Sequence, residues 1–309
     1  MFARGLLGSK GSGGNIAGKT VLITGAARGI GAAMAKRLGS QGAKVALVGL
    51  EPDELQAVRL ECGPYASAWE ADVTDSQQLR TAVAGVAERY GGIDIVVANA
   101  GIATAGFVRS IDPAAFEKVI EVDLLGVWRT VRACLPYLLD SRGYCLIVSS
   151  MAAIVHLPGM APYCAAKAGV EAFANSLRAE VKHLGVSVGV AHPTWIATDM
   201  VNSAGEHPVF GPLRADMPGP IGKTYPLSVA VDALDAAIAR RSRTVHIPRS
   251  MLVTKLLRAF LPPLVEAGAR KSIGKADQAA LADVQLRGAV ASAPVGPGGA
   301  AAMNHSEDK

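Results

Sequence analysis

Aromatic residues are scarce in this 309-residue chain, with Phe, Trp and Tyr together making up 5% of it. Its basic residues therefore have few rings to alternate with, which argues against the interleaved pattern that holds single-stranded nucleic acid. Cysteine is scarcer still. Cys62, Cys134, Cys145 and Cys164 show neither paired spacing nor a Cys-x-x-Cys step. That excludes a disulfide scaffold and a cysteine metal centre, and the thiols read as reduced, in a cytosolic protein. No apolar run reaches the ~18 residues of a membrane span. The two leucines after Arg4 are too short a run for a secretion signal. Charged residues make up 18% and hydrophobic ones 50%, ample for a large buried core.

Short β-branched runs alternate with longer amphipathic ones. Strands are expected at Thr20–Thr24, Lys44–Gly49, Tyr65–Glu70, Ile93–Ala98, Tyr144–Ser149, Val186–Ala191 and Thr244–Ile247. Helices are expected at Gly29–Ser40, Asp53–Glu61, Asp75–Tyr90, Ala114–Leu139 (one long helix or two), Pro162–Leu184 and Leu227–Arg240, with Asp75 or Ser76 capping the third. Strand–helix alternation with nearly continuous apolar strands implies a parallel sheet covered on both faces. Between Met200 and Pro226 the alternation stops, and five prolines and four glycines fill the segment. Such a loop, on the carboxyl edge of the sheet, reads as a functional lid or a disordered segment.

Thr20-Val-Leu-Ile-Thr24 runs straight into Gly25-Ala-Ala-Arg28-Gly29-Ile30-Gly31 and a helix. Gly25 suits a tight turn, Gly29 a close approach of backbone to a pyrophosphate, and Gly31 close helix–strand packing. The helix N-terminus offers free N–H groups to phosphates. A carboxylate ending the second strand would bind a ribose 2′-hydroxyl. Gly49 cannot; Glu51 can reach the ribose or merely begin the next helix. Arg28 can meet a 2′-phosphate or stand in solvent.

Tyr163 and Lys167 are four residues apart, hence on one helix face, and Ser150 ends a strand upstream. Tyr-x-x-x-Lys alone arises by chance in about one chain in four of this composition, so its order after the glycine turn carries the reading. Poising a phenol near pH 7 takes roughly 4 kcal/mol, and one ammonium at about 4 Å in partly shielded protein supplies a similar amount. On that balance Lys167 suffices to make Tyr163 an acid/base for a carbonyl or alcohol. Ser150 would hold the reacting oxygen, although Ser149 is equally good by composition.

Assembled, these residues make the stretch from about Lys19 to Pro248 resemble the short-chain dehydrogenase/reductase family, in its short single-domain type. Thr24 to Gly31 is similar to the family's glycine turn. Asp72-Val73 resembles its adenine contact, and Ala98-Asn99-Ala100-Gly101 its NNAG, with Ala for the first Asn. Spacing then favours Ser150 over Ser149 beside Tyr163 and Lys167. His192-Pro193-Thr194 resembles its Pro-Gly, so Ile196 and Thr198 fall at nicotinamide and phosphate contacts. Asp123 stands where the family has an Asn in a proton relay to the Lys. An ionised Asp there would offset the Lys167 field and raise Tyr163. The resemblance implies a single-domain Rossmann-type α/β fold, a doubly wound parallel sheet of about seven strands with helices on both faces. It also implies NAD(P), with NADP(H) slightly favoured by Gly49 and Arg28, no metal, and a homodimer or homotetramer.

The expected organisation is a flexible N-terminal tail over residues 1–17, a catalytic domain over 18–250, a basic and apolar helical extension over 251–289, and a disordered tail over 290–309. From Arg240 to Lys275 there are nine Lys/Arg and one acid, Glu266, mixed with leucines. Such a segment either closes the active site, packs on another subunit, or rests peripherally on an anionic membrane. The expected reaction is hydride transfer between nicotinamide and a secondary alcohol or ketone. A lipophilic substrate (long-chain, steroid-like or retinoid-like) would lie against Met200, Val201, Val209, Phe210, Leu213, Met217 and Tyr225. The rival is a non-catalytic dinucleotide-binding redox sensor or scaffold. The expected location is cytoplasmic or membrane-peripheral.

Overall fold

A computed structural model describes residues 16–217 and 222–307. Most of the tail expected over 1–17, residues 218–221 of the proline-rich segment, and the last two residues lie outside them. Seven strands form one parallel sheet in the order β3-β2-β1-β4-β5-β6-β7: β1 (Thr20–Thr24), β2 (Lys44–Gly49), β3 (Ser67–Glu70), β4 (Ile95–Ala98), β5 (Tyr144–Val148), β6 (Ser187–Pro193) and β7 (Thr244–Ile247). Helices α1 (Gly29–Ser40), α2 (Pro52–Glu61) and α3 (Ser76–Tyr90) follow the first three strands. Asp75 is the cap of α3, accepting from the N–H groups of Gln77 and Gln78.

Side chains alternate across a strand, and both faces here are covered. Leu22 packs with Val83, Val131 and Val170, whereas Val21 and Ile23 face Met34, Leu38 and Leu234. Burial on both sides removes any need for polar alternation and accounts for the apolar runs. Strand order reverses at β1, which has β2 on one side and β4 on the other. Connections leave that point in opposite directions and open a crevice at the carboxyl ends of the strands. Asn99 ties its floor together, its side-chain amide donating to the carbonyls of Thr24 at 3.0 Å and Gly25 at 3.2 Å.

Ala114–Leu139, expected as one long helix or two, is two, α4 (Pro113–Ile120) and α5 (Gly126–Ser141), joined by one π-helical turn, Glu121–Leu125. Other elements differ from expectation. Helix α6 spans Ala161–Val181. The proline-rich segment contains two short helices, α7 (Asp199–Glu206) and α8 (Phe210–Ala215), and α9 (Leu227–Arg240) follows. The extension forms α10 (Leu252–Leu256), α11 (Leu261–Ala269) and α12 (Ile273–Arg287). It is anchored on Glu171, a buried carboxylate one helical turn beyond Lys167. Lys255 Nζ lies 2.8 Å, His192 Nε2 3.2 Å and Arg258 3.6 Å from the Glu171 oxygens. Burial alone would raise Glu171, but hydrogen bonds from His192 and Lys255 outweigh it and hold the carboxyl at about 2.

The expectation of disorder from residue 290 is not met. Residues 288–292 form a 3-10 turn and Gly296–Glu307 form helix α13. Val295 N–H donates to the Ala103 carbonyl at 2.7 Å, and the Thr104 hydroxyl donates to the Ser292 carbonyl. Ala302 is buried against the sheet's core cluster. The Gly/Ala composition reads as low complexity, yet small side chains are what let this backbone lie close to the sheet's edge.

Candidate functional site

Helix α1 meets the sheet through its glycines. Gly25 has a left-handed φ of +64°, and a Cβ there would lie 2.8 Å from Ala100 Cα. A Cβ on Gly31 would run into the Gly25 carbonyl oxygen, so α1 packs this closely only because position 31 carries no side chain. Gly29, at φ +56°, faces Thr198 across the turn. The α1 N-terminus is thus left bare of side chains, a cradle that fits the phosphates of a dinucleotide.

Of the residues expected to contact the cofactor, all but Gly31 line one cavity of about 220 Å³. Gly25, Arg28, Gly29 and Ile30 come from the glycine turn, Asp72 and Val73 from the end of β3, and Asn99, Ala100 and Gly101 from the end of β4. Pro193, Ile196 and Thr198 follow β6, and Tyr163 and Lys167 reach in from α6. Gly31 is buried behind them. Asp123 and Ser150 line the same cavity.

Lys167 Nζ stands 3.1 Å from Asp123 Oδ2 and 5.5 Å from the centroid of the Tyr163 ring. The other Asp123 oxygen accepts the Ile102 N–H at 2.7 Å. Asp123 sits on the π-helical turn, a local widening of the helix that concentrates at functional sites. Burial pulls Lys167 down, but the Asp123 carboxylate and the Tyr163 phenol outweigh it and hold the amine above its ordinary value, hence charged. Burial pushes the Tyr163 phenol up. Lys167 draws it back, Asp123 adds to the rise, and a hydrogen bond with Ser150 draws it back further. The net direction is upward. One ammonium therefore does not suffice here, because burial of the phenol opposes it.

The two candidate serines, which both line the dinucleotide cavity, are oriented differently. Ser149 is buried and its hydroxyl donates to the Lys167 carbonyl at 2.8 Å. Ser150 turns the other way: its Oγ accepts the Ala152 N–H at 3.1 Å and its hydroxyl donates to the Pro193 carbonyl at 3.5 Å, and it lines both cavities together with Tyr163.

Arg28 does not stand free. Its Nε donates to Glu51 at 3.0 and 3.1 Å, and Glu54 and Asp199 lie 3.3 and 3.9 Å from its guanidinium. Glu51 lines the cavity with it.

A second cavity, of about 80 Å³, adjoins the first and shares Ser150, Tyr163, Thr194, Met200 and Val201 with it. Its further walls are apolar apart from Thr254, with Met151, Val155, Leu157, Met160, Trp195, Ala204 and Met251 among them. Of the expected pocket residues, Met200 and Val201 line it. Phe210 and Met217 pack in the cluster behind, and Tyr225 joins the core on the other face. Val209 is buried away from the walls and Leu213 lies against Gly159. The methionines and Trp195 were missed, although Met151 and Trp195 directly follow motif residues in the chain. Helix α13 was missed altogether: Val295, Gly296, Gly298 and Gly299 form part of the wall of the dinucleotide cavity.

Among the described residues no cluster could hold a metal ion, and no helix is long and apolar enough to cross a membrane.

A family model described as short chain dehydrogenase matches residues 19–208. The 3-oxoacyl-[acyl-carrier-protein] reductase FabG of Escherichia coli is 31% identical over 240 residues, covering 77% of this chain and 98% of that protein. The 2,3-dihydro-2,3-dihydroxybenzoate dehydrogenase of Bacillus subtilis is 35% identical over 189 residues, covering 60% and 72%. Among solved structures, the 3-ketoacyl-(acyl-carrier-protein) reductase of Brucella melitensis, complexed with NADH, superimposes with a TM-score of 0.68 at 26% identity, covering 75% of this chain and 97% of that one. Levodione reductase superimposes at 0.69 with 27% identity, covering 75% and 96%.

Proposed function

The chain belongs to the short-chain dehydrogenase/reductase family, NAD(P)-dependent oxidoreductases acting on CH–OH groups, and from that premise we propose that it interconverts a lipophilic secondary alcohol and its ketone. The observation that carries the reading is that Ser150 and Tyr163 line both the dinucleotide cavity and the apolar one. Only at that junction can a substrate oxygen meet both hydroxyls.

When bound, the dinucleotide supplies or accepts the hydride. In reduction the Tyr163 hydroxyl gives its proton to the carbonyl oxygen as charge builds there; in oxidation the phenolate takes the proton from the alcohol. Ser150 donates to the same oxygen and fixes its direction. Lys167, kept charged by Asp123, favours the phenolate and offers its ammonium to the ribose. The glycine turn, Asp72, Val73 and Thr198 hold the rest of the dinucleotide.

The Arg28–Glu51 pair supports NAD(H) rather than the NADP(H) first favoured. A 2′-phosphate would have to draw Arg28 from Glu51 and sit among Glu51, Glu54 and Asp199. The Brucella structure, complexed with NADH, is in line with this. A lipophilic substrate is supported by the methionine and tryptophan walls; a 3-oxoacyl chain, as the reductase names imply, is one such ketone. A homo-oligomer through α5 and α6 is supported by half-exposed Trp128 on α5, and the basic extension supports a peripheral membrane contact.

The test is a panel of alcohols and ketones of graded chain length with each cofactor, read by nicotinamide absorbance, on wild type and Tyr163→Phe. Turnover should favour longer chains and vanish in the variant while dinucleotide still binds. Turnover kept in Tyr163→Phe would overturn the catalytic reading, and activity on short polar substrates alone would overturn the lipophilic one.

A further inference from the structure

Helix α10 has two unlike sides. Inward, Met251 at its start and Thr254 line the apolar cavity beside Tyr163. Lys255 and Arg258 turn in as well, onto Glu171. Outward, Leu252, Val253, Leu256, Leu257, Phe260 and Leu264 are 48 to 75% exposed. They lie along α10, the 3-10 turn Arg258–Phe260 that follows it and the start of α11. Scattered exposed leucines need no explanation, but six large apolar side chains within thirteen residues form a patch of the kind that marks an interaction site.

Around this stripe the exposed charges are predominantly basic. Arg249 precedes it, and Arg270, Lys271 and Lys275 follow; Glu266 is the one exposed acid from Arg249 to Lys275. An apolar stripe rimmed by cations complements an anionic bilayer, whose headgroups attract the rim while its acyl region takes the side chains. A second subunit would have to present an acidic rim around an apolar face, and the stripe's own basic rim would repel its copy.

We propose that α10 and the start of α11 dock this protein on an anionic membrane surface, so that the far side of the same short helix, Met251 and Thr254, brings the substrate cavity to the bilayer. The proposal deepens the lipophilic reading of that cavity. A substrate dissolved among the acyl chains then reaches Tyr163 past one helix without crossing water.

The test is vesicle sedimentation of the full chain without substrate. Vesicles of phosphatidylcholine alone are compared with ones carrying about a third phosphatidylserine. Wild type should sediment with the anionic vesicles, and less at high salt. The double variant Leu256→Asp/Phe260→Asp should bind at least tenfold more weakly, as should Arg270→Glu/Lys271→Glu. All these residues are exposed, so far-UV circular dichroism and turnover of a water-soluble ketone should match wild type and show the variants folded. Failure of wild type to sediment would overturn the proposal. So would a change of oligomeric state in Leu256→Asp/Phe260→Asp at unchanged vesicle binding, which would assign the stripe to a second copy. Sedimentation with activity on short polar substrates alone would keep the membrane contact and remove the lipophilic substrate, so the two failures are distinguishable.

Discussion

Asp123→Asn isolates one charge in the proton-transfer site. The carboxylate lies 3.1 Å from Lys167, and Lys167 lies 5.5 Å from the Tyr163 ring. Those two distances put Asp123 no farther than about 9 Å from the ring's centre. At an effective dielectric constant of about 20, a unit charge at about 9 Å disfavours the phenolate by about 2 kcal/mol. That is somewhat over one unit of pKa. Part is returned because an unpaired Lys167 holds its own proton less tightly, so a net fall of about one unit in Tyr163 is expected. The substitution is nearly isosteric, and the Asn carbonyl can still accept the Ile102 N–H. Oxidation needs the phenolate, so the acid limb of log kcat/KM against pH should move down by about one unit. Wild type then has the more alkaline optimum. The assay is steady-state kcat/KM from pH 5 to 10, with dinucleotide affinity measured alongside. Identical profiles would show that Asp123 acts only through backbone contacts. A shift to higher pH would mean that Lys167 loses its charge without Asp123, and would refute the electrostatic account.

Four other outcomes follow from the geometry. Glu51→Ala should release Arg28 and remove a carboxylate, raising kcat/KM with NADP(H) relative to NAD(H) about tenfold or more, about 1.4 kcal/mol; an unchanged ratio would show that the pair does not face the ribose. Glu171→Gln should cost about 3 kcal/mol of stability, because it breaks a buried charge cluster, and lower Tm by several degrees. Wild type should also be acid-sensitive. Glu171 is held at about 2 against an ordinary 4.5, so its contribution is full above 4.5 and is lost as pH falls towards 2. Burial, with His192 and Lys255 beside it, holds His246 at about 4 against 6.5; stability therefore also declines as pH falls from 6.5 through 4. A Tm flat from pH 7 to 3 would contradict both. Deleting residues 294–309 should tighten NADH binding severalfold. Val295, Gly296, Gly298 and Gly299 stand in the wall of the dinucleotide cavity, which is about 220 Å³, small beside the roughly 300–1,000 Å³ of drug-sized sites, so removing them should leave the dinucleotide more room. Weaker binding by calorimetry would show instead that α13 contributes contacts.

Local chemistry made much of this protein legible in advance. Gly25 and Gly31 could be assigned because a turn with positive φ and a helix lying on a carbonyl tolerate no Cβ, wherever they occur. Tyr163 and Lys167 could be paired because helical spacing fixes neighbours four apart. The parallel sheet followed from apolar runs that only two covered faces permit. Choosing Ser150 over Ser149 needed the resemblance, since composition cannot say which way a hydroxyl turns. Other features had no local signature. The Arg28–Glu51 pair joins residues from two different loops. The π-helical turn at Asp123 is one extra residue in a helix whose periodicity looks unbroken. Burial, which reverses the expected shift of Tyr163, is a sum over distant neighbours. Residues 288–307 have the composition of a linker, yet they fold because the crevice edge accepts a backbone whose side chains there are mostly small. Sequence thus settled what depends on steric limits and short spacing. Tertiary structure alone decided charge pairing, dielectric environment and where the C-terminal helix rests, because each depends on groups far apart in the chain.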